Sequence, residues 1–60
     1  MDKETLLECI KNEKFDDAKK IAFQLIQMDD TSSIQWALSE ASDFKETVTY
    51  KIVEKMLKYI

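Results

Sequence analysis

The sequence predicts an all-α protein, a compact bundle of three or four short helices built from two antiparallel helical hairpins. Three observations lead there. The 60 residues are 45% apolar and 35% charged with neither glycine nor proline, too hydrophobic for a disordered tail. Apolar residues recur at helical spacing along most of the chain. The stretches between them are short and contain Asn, Asp or Ser, which turn a chain where glycine is missing. Sixty residues make a single domain, and such a chain buries only about 60% of its unfolded surface, so its stability margin is thin.

Helix one is predicted from Asp2, its N-cap, to about Asn12, with Leu6, Leu7, Cys9 and Ile10 on one side and Glu4, Glu8 and Lys11 on the other. Asn12-Glu13-Lys14 is a short connection in which Asn12 is expected to take the left-handed conformation, and so short a link implies an antiparallel neighbour. Helix two spans about Phe15–Met28, with Phe15, Ala18, Ile21, Ala22, Leu25 and Ile26 at helical spacing and Asp16-Asp17 at the favourable end of the dipole. Asp29-Asp30-Thr31 is a turn. Ser32 with Gln35 has the form of a capping box, opening a third helix over about Ser33–Ala41 that turns Ile34, Ala37, Leu38 and Ala41 inward. Asp43 with Glu46 matches a second cap, opening helix four near Phe44; the rival reading is a strand at Thr47–Val53, which is β-branched and partly alternating.

Helix four carries more apolar surface than one core requires. From Val48 through Tyr59, Ile52, Met56, Ile60, Val53 and Leu57 to Tyr50, its apolar residues fan across roughly 200° of circumference, where a single core needs a stripe of about 100°. Either the helix is sandwiched within its own fold or part of it awaits another chain. The opposite arc holds Lys51, Glu54, Lys55 and Lys58.

Phe15 and Phe44 lie 29 residues apart in comparable surroundings, a hint of duplication between 2–28 and 32–60. The stretch from Asn12 to Asp30, with aromatic Phe15, acids, small Ala18, an apolar helix and an acidic end, resembles the turn and second helix of a tetratricopeptide repeat. It covers under a third of the chain and lacks the family's turn glycine and closing proline. The resemblance implies helical-hairpin geometry, and no binding residues follow from it.

Composition narrows the chemistry. Without glycine, phosphate-cradling loops are excluded. All nine positive charges are lysines against twelve acids, a net charge of −3, so bidentate arginine readout of bases is absent and nucleic acid is disfavoured as a partner. There is no histidine to serve as a general base, and no catalytic residue is assigned. Asp16-Asp17 and Asp29-Asp30 are adjacent pairs whose carboxylates diverge by about 100° on a helix. The segment from Asp29 to Glu40 mimics a calcium loop but places Ile34 where the sharp turn needs glycine. No metal, cofactor or small-molecule substrate is expected. Cys9 is a lone cysteine and reads as a small buried hydrophobe. The acidic N-terminus is no signal peptide, and no apolar run approaches the roughly 20 residues that span a bilayer, so a cytoplasmic protein is expected. Met1 and the length lead to the expectation of a complete short open reading frame.

The expected function is that of a small interaction module, a regulator or inhibitor that binds a partner protein or a second copy of itself. The contact candidates are Trp36, which lies off the helix-three stripe, Phe23, Tyr50, Val53 and Leu57, with Asp29, Asp30, Glu40 and Asp43 as an acidic rim. Two alternatives are an acidic nucleic-acid mimic using the lysine-free stretch 21–44, and a helix-turn-helix DNA reader with Thr31–Leu38 opening its recognition helix.

Overall fold

The N-terminal helix starts where Asp2 can satisfy it: its Oδ1 accepts from the Thr5 backbone N–H and from the Thr5 hydroxyl, both at 2.9 Å. In the computed structural model, which describes residues 2–59, α1 then runs Lys3–Lys11, α2 Phe15–Gln27, α3 Thr31–Glu40 and α4 Val48–Lys58, with a 3₁₀ turn at Ser42–Phe44 before α4. No strand forms among the described residues, and Ile60 of the expected fourth helix lies outside them. The all-α bundle is the fold.

Two identical turns join the first three helices. The Lys14 N–H reaches the Cys9 carbonyl at 2.9 Å and the Glu13 N–H the Ile10 carbonyl at 3.3 Å; after α2, Asp30 reaches Leu25 at 2.8 Å and Asp29 reaches Ile26 at 3.0 Å. Both are Schellman closures, which place one residue in the left-handed region. That residue is Glu13 (φ 55°) in the first and Asp29 (φ 57°) in the second. Asn12, expected to be left-handed, has φ −99° and instead donates its side-chain N–H to the Glu8 carbonyl at 3.0 Å. Glu13 thus occupies the site a turn glycine would fill.

Two helix starts differ from expectation for one reason, that a nearer oxygen does the capping. Asp30, not Ser32, caps α3: its carboxylate accepts from the Ser33 N–H at 3.3 Å and from the Ser33 and Ser32 hydroxyls at 2.7 and 3.2 Å, so the helix begins at Thr31. Thr47, not Asp43, caps α4, accepting from the Tyr50 N–H at 3.4 Å while donating its hydroxyl to the Phe44 carbonyl at 2.7 Å. Phe44 therefore ends a 3₁₀ turn whereas Phe15 opens α2, and the 29-residue offset does not superpose equivalent elements.

Around the core the helices are ordered α1, α2, α4, α3: α1 packs on α2 and α3, α4 packs on α2 and α3, and α2 touches α3 across the middle. Two hairpins are thus laid side by side, giving one layer of α1 with α3 and another of α2 with α4. Leu6 and Ile10, Ile21 and Leu25, Ile34 and Leu38, and Val53 meet between them. Ala18, Ala22, Ala37 and Ala41 are fully buried, so small side chains fill much of the core contributed by α2 and the end of α3 within a body of 26 × 21 × 19 Å. Thr49 is the buried polar residue among the described residues; its hydroxyl donates to Glu13 Oε1 at 3.2 Å, tying the first turn to the start of α4.

Candidate functional site

The helix order decides which edges face outward. Cys9 of α1 lies near Asp17: burial, and behind it the Asp17 charge, push its thiol pKa up. α1 therefore covers the Asp17 and Ile21 side of α2, leaving the side with Ala22, Ile26 and Phe15 to α4. Right-handed winding carries this order through the bundle, and Lys3 of α1 meeting Trp36 of α3 is consistent with it. Because α4 runs alongside α2 in the same direction, its Val48, Ile52 and Met56 edge borders α2, and its Tyr50 and Leu57 edge borders α3.

Of the contact candidates, Val53 is corrected outright. It is fully buried, because Thr49 and Val53 form the line of α4 that points into the core. Tyr50 and Leu57 are half-buried and pack against that core. Trp36 is likewise half-buried and packed on the core, and the Lys3 ammonium sits 4.7 Å from its ring centroid. Such a cation over the ring face is attractive by about 0.5–1 kcal/mol. Phe23 alone of the five stands out, 55% exposed.

The acidic residues do not form one rim. Asp29 and Asp30 precede α3, whereas Glu40 ends it and Asp43 lies in the turn beyond, so the two pairs are separated by a helix about 15 Å long. Asp30 is engaged in capping, and its hydrogen bonds from Ser33 hold its pKa below the ordinary 3.8. The segment 31–40 is helix throughout, not a calcium loop, and no metal-binding cluster of acids and cysteine exists among the described residues.

Three further exposed apolar side chains belong to the same layer as Phe23. Val48 is 62% exposed, Tyr59 81% and Met28 68%. With Phe23 these are the exposed large apolar side chains among the described residues, and all belong to α2, α4 or their C-caps. Val48, Ile52 and Tyr59 recur within about 40° of one another on α4, a signal present in the fan of apolar residues but not separated from the core-facing part. On α2, half-buried Phe15 and Ile26 continue the patch, with the Lys19 ammonium 5.2 Å from the Phe15 ring.

The charges follow the same division. α2 and α4 with their caps carry Lys14, Lys19, Lys20, Lys51, Lys55 and Lys58 against Asp16, Asp17 and Glu54. α1 and α3 with theirs carry Asp2, Glu4, Glu8, Asp30 and Glu40 against Lys3 and Lys11. On the outer side of α4 a shallow depression of about 190 Å³ is lined by Lys51, Glu54, Lys55, Lys58 and Tyr59. Comparison with protein-family models, with curated proteins and with solved structures finds no match to this chain.

Proposed function

We propose that this chain is a small non-catalytic interaction module, acting in the cytoplasm as a regulator or inhibitor, whose docking face is the outer side of α2 and α4. The observation that carries the reading is the confinement of Phe23, Val48 and Tyr59 to that one layer. Binding there would exclude water from the aromatic rings of Phe23 and Tyr59, and tyrosine is among the side chains that dominate interface energies. Occupation of a partner's surface is then the mechanism. Self-association through this face is disfavoured, because it would set one lysine-rich layer against another.

The test is selection of a displayed random-peptide library on the wild type and on a Phe23→Ser/Val48→Ser/Tyr59→Ser variant. These positions are exposed, so the variant should keep its helical circular dichroism and melting temperature within a few degrees. The reading expects peptides enriched on the wild type and lost on the variant. Enrichment of the same peptides on both proteins would refute it.

A second reading draws on the acidic layer of α1 and α3, with Asp2, Glu4, Glu8 and Glu40 on its surface. This is the face an acidic nucleic-acid mimic would present to a basic groove. Its binding would collapse between low and high salt, while docking through Phe23 would survive.

A further inference from the structure

Resting on the α2 and α4 docking face just proposed, we infer that its occupant is an acidic amphipathic helix of a partner protein. The apolar anchors and the charges around them specify this together. The Thr49 hydrogen bond to Glu13 brings the start of α4 beside the turn that opens α2, and counting along the two helices from there puts Phe15 near the height of Ile52 and Phe23 near that of Tyr59. The two apolar pairs are then eight residues apart along α2, about 12 Å of helix rise. A helix lying along the seam meets them with residues at i and i+7 or i+8, the anchor spacing of helix-in-groove recognition.

Around the anchors the lysines outnumber the acids, which are Asp16 on the Phe23 line of α2 and Glu54 on α4. Lys19 stands at the Phe15 end of the seam, and Lys51, Lys55 and Lys58 line the depression that Tyr59 closes. Glu54 shares that depression and Glu46 pairs with Lys51 at 3.5 Å, which leaves Lys55, Lys58 and Lys19 for incoming carboxylates. A second copy does not meet this requirement, since its matching apolar face is lysine-rich and its acidic layer exposes no large apolar side chain among the described residues. An anionic membrane meets it less well, because a lipid surface offers no apolar side chains at the spacing of the two anchor pairs.

The experiment uses two synthetic fluorescein-labelled helical peptides with leucines at i and i+7, one flanked by glutamates and the other by lysines. Fluorescence anisotropy should show the acidic peptide binding at least about tenfold more tightly than the basic one, with the gap narrowing as salt shortens the screening length. Lys51→Glu/Lys55→Glu/Lys58→Glu should reverse the preference, and Phe23→Ser should weaken both peptides. Equal binding of the two peptides, lost in Phe23→Ser, overturns the acidic partner while leaving the docking face intact. The acidic partner is overturned in the same way if neither peptide binds but library selection yields Phe23-dependent sequences. Binding to phosphatidylserine vesicles without peptide preference overturns it in favour of a lipid surface. Absence of any Phe23-dependent binding, in peptides and library alike, removes both the inference and the docking face.

Discussion

The layer of α1 and α3 and the layer of α2 and α4 are built from helices of similar length and share one core, yet they finish their outer surfaces differently. In the first, the large aromatic off the core stripe, Trp36, is half-buried and lies under the Lys3 ammonium. In the second, Phe23, Val48 and Tyr59 stand in solvent beside a run of lysines. The difference teaches that surplus apolar surface in a small bundle need not be spread evenly. One layer is finished as a surface and the other is left open, and the open one is where a function is to be sought.

The largest effect expected from this contrast compares the two aromatics. Trp36→Ala should destabilise by about 2 kcal/mol, below the range for full core burial because the ring is only half-buried. Phe23→Ala should change stability by less than about 0.5 kcal/mol. In a domain this small the first lowers the melting temperature by about 10 °C and the second barely moves it, which thermal circular dichroism resolves. Equal losses would mean that Phe23 is part of the folded core, and the distinction between the layers would break.

A second test uses the matched turns. Asp29→Gly should stabilise by about 0.5 kcal/mol, because glycine removes the left-handed strain and no other role of Asp29 is lost. Glu13→Gly relieves the same strain but leaves the buried Thr49 hydroxyl without its partner, a cost of about 1–3 kcal/mol. Urea midpoints should therefore move in opposite directions. Movement in the same direction would show that the Glu13 link between the turn and α4 carries no weight, and with it the register of α2 against α4.

Much of this was legible in the sequence, and what was not has a local cause. The helical spacing of Leu6 with Ile10 and of Ile21 with Leu25 survives into the core because both faces point one way only. Asp2 was readable as a cap since no other oxygen competes for Thr5. The sequence puts the start of α3 two residues late because Asp30, Ser32 and Ser33 are all capping types, and spacing alone cannot rank three neighbouring oxygens. The site was legible as a surplus on α4 but not as an edge: whether Val48 or Val53 faces the core depends on which side of α4 meets α2, and only the tertiary arrangement supplies that. Trp36 lies half-buried under Lys3, a contact between residues 33 positions apart that no periodicity encodes.

Acid should separate the layers next. The caps of α1 and α3 are carboxylates, Asp2 and Asp30, whose hydrogen bonds from Thr5 and Ser33 hold their pKa values below the ordinary 3.8. α4 is capped by the Thr47 hydroxyl and α2 has no side-chain cap. A carboxylate with a depressed folded pKa contributes stability that is complete above 3.8 and lost as pH falls through its lower folded value. Amide exchange between pH 5 and pH 3 should thus loosen the first turns of α1 and α3 before that of α4. Asp2→Asn/Asp30→Asn keeps a capping oxygen that does not titrate and should abolish the difference.

The smallest effect concerns the cation over each aromatic. Lys3→Gln removes the ammonium 4.7 Å from Trp36 and should cost about 0.5 kcal/mol while raising acrylamide quenching of the Trp36 fluorescence. Lys19→Gln removes the ammonium 5.2 Å from Phe15 at the open layer, where the longer distance should make the loss in stability smaller still. If Lys3→Gln leaves quenching unchanged, packing of Trp36 on the core alone seals the acidic layer, and lysine placement no longer distinguishes the two surfaces. If quenching rises, a cation covers an aromatic in each layer, but only in the first is that aromatic the large one off the core stripe; in the second, Lys19 covers Phe15 and leaves Phe23, Val48 and Tyr59 in solvent.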